Sequence, residues 1–82
     1  MRYFTTGKIK NGQMVLVAKE GYDVEREIIP NALKYINESA WNKEVLLIGL
    51  RGIDIPIYPQ DKLSSALERY REELYRYSGL EL

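Results

Sequence analysis

The stretch Glu44–Pro59, EVLLIGLRGIDIPIYP, limits what this chain can fold into more than any other. Val45, Leu46, Leu47 and Ile48 form an unbroken apolar run. A strand covered on one face alternates apolar and polar side chains, so an unbroken run predicts a strand covered on both. Ile53, Ile55 and Ile57 then alternate with Asp54, Pro56 and Tyr58, the pattern of a strand with one wet face. Gly49-Leu50-Arg51-Gly52 lies between them and supplies glycines that tolerate positive φ at a reversal. The expectation is a hairpin whose first strand is central. Pro56 has no N–H to give to a ladder, which sends the second strand to an edge.

The rest of the chain reads as cover and extension for that pair. Tyr3–Lys10 alternates loosely, Asn11-Gly12 is a strong type I′ turn signal, and Gln13–Lys19 resumes the alternation, so a first hairpin is expected, ended by Gly21. Tyr22–Pro30 is ambiguous. Asp23 suits the cap of a short helix through Glu25, Arg26 and Glu27, whereas Tyr22, Val24 and Ile28 suit a strand. Pro30 disfavours helical backbone at Ile29, so the reading leans to an extended segment. A helix of two to three turns then opens at Pro30 or Asn31, with Ile29, Leu33, Ile36 and Ala40 on one stripe. The last helix runs from an Asp61 cap towards Gly79, with Leu63, Ala66, Leu67, Tyr70, Leu74 and Tyr77 inward. Arg69–Glu73 and Glu72–Arg76 are its i,i+4 pairs. The order β-β-(β)-α-β-β-α predicts an α+β fold, a small antiparallel sheet of two hairpins covered by two helices.

With 82 residues the chain makes one domain. A chain this short buries only about 60–65% of its extended surface. It has no cysteine, so no disulfide offsets that, and a reducing cytoplasm is the default compartment (the host's, if the protein is viral). Self-association is a remaining way to add core. The apolar runs fall short of the ~20 residues that span a bilayer. MRYFTTGKIK has no apolar core of a signal peptide.

Absent residue types narrow the chemistry. Without histidine or cysteine there is no Ser-His-Asp or Cys-His nucleophile and no ordinary zinc site. Asp54 near Arg51, or Glu25-Arg26-Glu27, could serve acid–base chemistry, but solvated charges flanking strands explain them as well. No cofactor, metal or catalytic residue is assigned, and a non-enzymatic protein is expected.

Seven tyrosines stand out. Tyr70, Tyr75 and Tyr77 lie beside Arg69, Arg71 and Arg76, the residue types that interface centres favour. The plainer alternative puts Tyr70 and Tyr77 in the core and leaves Tyr75 alone outside. Tyr75, Arg71, Arg76 and Arg51 are the candidate partner-binding residues. Trp41 reads as a lid on the core. Net charge is zero, yet residues 1–19 carry Arg2, Lys8, Lys10 and Lys19 with no acid, leaving the remainder acidic. Lys8 and Lys10 are therefore candidates for contact with nucleic acid or an acidic partner. Neutrality overall argues against a dedicated nucleic-acid binder.

Two stretches resemble the AbrB/MraZ-like swapped-hairpin DNA-binding domains, over about half the chain. Arg26-Glu27-Ile28-Ile29-Pro30-Asn31-Ala32-Leu33-Lys34 is similar to that family's R-x-x-I-P stretch, where a strand runs into a short helix. Leu50–Asp54 and Ile57-Tyr58-Pro59 resemble its later hairpin and exit into a helix. The family's glycine before the arginine is Glu25 here, and Asp23 stands one residue too close to Arg26. The resemblance implies a dimeric transcriptional regulator or antitoxin, with Arg26 on a phosphate. The reading from the residues themselves is a small self-associating protein-interaction or regulatory module, of an accessory or phage-type kind.

Overall fold

The computed structural model describes residues 2–7 and 12–79. β1 (Phe4–Thr6) and β2 (Met14–Ala18) form the first hairpin, with Thr5 opposite Val17. Lys8, Lys10 and Asn11, including the tip of that hairpin, lie outside the described residues. β3 (Val45–Leu50) and β4 (Ile53–Ile57) form the second, with Leu47 opposite Ile55. Arg51 and Gly52 close it at φ 57° and 89°, the left-handed values a two-residue type I′ turn needs. The strands lie in the order β1-β2-β3-β4, so β3 is interior and β4 is an edge, as Pro56 predicts.

The sheet is mixed rather than antiparallel throughout. β2 and β3 run parallel, Leu16 beside Leu47. The helical segment between them carries the chain back along the sheet, so both strands start from the same end.

That helical segment corrects the extended reading of Tyr22–Pro30. Val24–Ile28 is a π-helical turn that runs straight into helix α1 (Ile29–Glu38). The Ile28 N–H donates to the Asp23 carbonyl at 3.0 Å, and the Ile29 N–H donates to that of Val24. Ile29 is helical at φ −62°, ψ −47° despite the proline after it. A proline ring in a helix crowds the carbonyl four residues back. The widened turn falls at the residues that would meet Pro30 in this way, and the Asn31 side chain takes up the Glu27 carbonyl at 2.7 Å. Asp23 caps the turn, its carboxylate accepting from the Arg26 N–H at 2.8 Å.

α1 and α2 (Leu63–Gly79) both cover one face of the sheet. Leu16, Val45, Leu47, Leu50, Ile55 and Ile57 on the strands meet Ile29, Ala32, Leu33 and Ile36 of α1 and Ala66 and Tyr70 of α2. Ala40 is not part of that stripe. It lies beyond the helix at φ 61° and is exposed. No helix of the described residues covers the opposite sheet face. Val15, Val17, Leu46, Ile48 and Pro56 stand there half-buried, none of them within the core cluster. The apolar run Val45–Ile48 therefore has one covered face rather than two.

A knot of polar contacts fixes α2 to the edge strand. Arg69 pairs bidentately with Asp61, at 2.9 and 3.2 Å, and donates to the Pro56 carbonyl at 3.0 Å. It also lies 5.1 Å from the centre of the Tyr58 ring. Asp61 is thus no helix cap. Its carboxylate accepts from the Tyr58 N–H at 2.8 Å and holds the loop ahead of α2. Burial pushes the Asp61 carboxyl up, but the Arg69 guanidinium and the Tyr58 N–H outweigh it and hold it below the usual range. The expected i,i+4 pairs give way to this knot and to an Arg76–Glu73 pair at 2.9 Å.

Candidate functional site

A groove of about 1270 Å³ opens at the carboxyl ends of the parallel strands β2 and β3. Three elements converge on it. The end of β2 and the π-turn bring Lys19, Glu20, Asp23, Glu25 and Arg26. The β3–β4 turn brings Gly49, Arg51 and Gly52, and α2 brings Leu67, Tyr70, Arg71 and Leu74. Val24 and Ile28 complete an apolar lining. The carboxyl end of parallel strands joined by a crossover helix is where open sheets leave room for ligands.

Three of the sequence-predicted residues meet here: Arg51, Arg71 and Arg26, separated by up to 45 positions in the chain. Arg71 is committed to Glu25, its Nη2 2.6 Å from Oε1. The Asp23 carboxylate is engaged by the backbone at the helix start. Arg26 and Arg51 are exposed and have no ion-pair partner among the described residues. Tyr70 is only 2% exposed. Burial is the main cause of its raised pKa; the charges of Glu25 and Asp23 add to it and that of Arg51 opposes it. At neutral pH Tyr70 is therefore a neutral hydroxyl.

Arg76 lies just outside, in a smaller depression with Gly52, Ile53, Asp54, Glu73 and Tyr77. Asp54 and Arg51 flank the same turn from different hollows, and Glu25 is paired with Arg71. Tyr75 is 78% exposed, Tyr77 60% and Leu74 37%. Of the two readings of the tyrosines, Tyr70 follows the core reading and Tyr77 does not. The sheet is too narrow to reach the last turns of a helix this long. Lys8 and Lys10 fall outside the described residues.

Arg26-Glu27-Ile28-Ile29-Pro30, which the family resemblance would set at the end of a strand, is helical throughout. Trp41 packs against the core as expected, although its buried Nε1–H has no hydrogen-bond partner among the described residues. No group of three or more carboxylates placed to hold a metal occurs among the described residues, and none of their helices is long and apolar enough to cross a membrane.

Sequence reasoning did not find Tyr70, Leu67, Leu74 and Glu25 as parts of this site. Arg51, which the sequence did offer, stands out further because two-residue hairpin turns favour Asn-Gly whereas the second hairpin has Arg51-Gly52. Compared with protein-family models, curated proteins and solved structures, the chain has no match.

Proposed function

We propose that this protein is a small non-enzymatic protein-interaction module with a regulatory or accessory role. Its binding surface is the arginine groove together with the exposed end of α2. One observation carries the reading: Arg26, Arg51, Arg71 and Leu74 line a single groove, and Tyr75 and Tyr77 are exposed on the next turn of the same helix. Tyrosine and arginine around apolar contacts are the composition of interface centres. A cytoplasmic setting belongs to the same proposal, in keeping with the lack of cysteine.

Self-association forms the second part. The uncovered sheet face, with Val15, Val17, Leu46 and Ile48, supports it, because the same apolar patch on a second copy would bury against it. The alternative is a dimeric DNA-binding regulator using Arg26, Lys8 and Lys10.

Sedimentation equilibrium over a range of concentrations, with and without labelled duplex DNA, separates the two. A dimer that ignores DNA at low salt supports the proposal. Duplex binding that weakens as salt rises, abolished by Arg26→Glu, would establish the alternative. A strict monomer at every concentration contradicts the self-association.

A further inference from the structure

The arginine at the β3–β4 turn is held at a cost. Arg51 has φ 57°, a conformation strained for an L-residue with a Cβ and far better suited to Asn or Gly. The fold does not need arginine there, since Gly52 completes the turn. Arg51 lines the groove without a carboxylate partner among the described residues, and so does Arg26. Of the acids on the lining, Glu25 is paired with Arg71 and Asp23 accepts from the Arg26 N–H, while Glu20 adds a further negative charge. The groove thus presents two guanidinium groups that have no ion pair among the described residues, above a lining of Val24, Ile28, Leu67 and Leu74.

We propose that the groove binds an acidic segment of a partner protein, with one carboxylate held by Arg51 and Arg26 and a flanking apolar side chain seated against Leu67 and Leu74. The inference rests on the protein-interaction reading and names the chemistry of its partner. Guanidinium groups take carboxylates in paired, planar geometry. The apolar lining gives a peptide side chain a place that a sugar–phosphate strand would leave empty. Glu20, Asp23 and Glu25 on the same lining repel a continuous polyphosphate more strongly than a single carboxylate. Arg51 is the specificity-determining residue, and its backbone strain is the cost of placing a cation at the mouth of the groove.

The test uses a defined probe, the peptide acetyl-Glu-Leu-Glu-Leu-Glu-amide, titrated into labelled full-length protein and followed by NMR. Saturable shifts are expected at the Arg51 and Arg26 side-chain N–H groups and at the Leu67 and Leu74 methyls. The charge-reversed peptide with lysine in place of glutamate should give none. Arg51→Asn should weaken binding about tenfold or more while raising the melting temperature, since asparagine relieves the strain. Arg51→Lys should keep the strain and only part of the affinity.

No saturable shift with the acidic peptide overturns the proposal. So does equal binding by the lysine peptide, or unchanged affinity in Arg51→Asn. Shifts produced by inorganic phosphate or duplex DNA but not by the peptide would reassign the groove to a phosphate ligand. A groove that still crosslinks to a protein in cells while ignoring this peptide overturns the acidic-segment inference alone and leaves the interaction reading in place.

Discussion

Among the described residues Ala40, Arg51 and Gln60 hold positive φ without being glycine, each for a different reason. Gln60 is held by its neighbours, its N–H donating to the Asn37 side chain at 2.7 Å. Arg51 is held by the turn. Ala40 sits just past α1, where a left-handed residue ends a helix and glycine is the usual choice. Ala40→Gly should therefore stabilise the protein by about 1 kcal/mol, raising the melting temperature by roughly 4–8 °C in a thermal melt. Asp61 sets a second prediction at this scale. Its folded pKa lies below its unfolded value, so its ion pair stabilises the fold above the unfolded pKa of about 3.9 and is lost as pH falls through the folded value. Urea unfolding of wild type and Asp61→Asn should differ by about 1–3 kcal/mol at pH 7 and converge in acid, once the pH is below the lowered folded pKa. A difference that persists in acid would show that Asp61 acts through packing instead.

The strands and helices are tied together by contacts that local pattern does not announce. Period-2 alternation and turn glycines made both hairpins legible, and Pro56 placed β4 at the edge. The parallel pairing of β2 and β3 was not legible, because side-chain period says nothing about which strand a crossover returns to. Pro30 misled for a local reason: the clash of its ring with Ile29 only disfavours helical backbone there, and Ile29 adopts it at φ −62°, ψ −47°. Arg71, Arg76, Tyr75 and Arg51 could be read as partner-binding candidates from composition. The meeting of Arg51 and Arg71 in one groove could not, since the Arg71–Glu25 contact that closes it joins residues 46 apart. Gly49 shows how tightly the elements meet there. It stands at φ 80° where the β3–β4 register shifts, and a Cβ on it would lie 3.4 Å from the Ala18 carbonyl oxygen of β2. Gly49→Ala should cost more than about 1 kcal/mol in chemical denaturation, from backbone strain at that φ, and perturb the groove-lining amides.

At the scale of the whole molecule, the proposed function rests on two surfaces. One is the sheet face opposite the helices. Val17→Lys, at its centre between Thr5 and Ile48, should shift the sedimentation equilibrium to monomer while the circular dichroism of the fold is retained. An unchanged mass would remove that face from the self-association. The other surface is the groove and the exposed end of α2, on which the functional reading depends. The most direct measurement places a photo-crosslinking side chain at Glu72, an exposed position on α2 next to Arg71, in protein expressed in cells. The account predicts a discrete protein adduct, lost when Arg71 and Tyr75 are changed to alanine. A crosslink to nucleic acid in its place, or a protein adduct indifferent to those two residues, would contradict it.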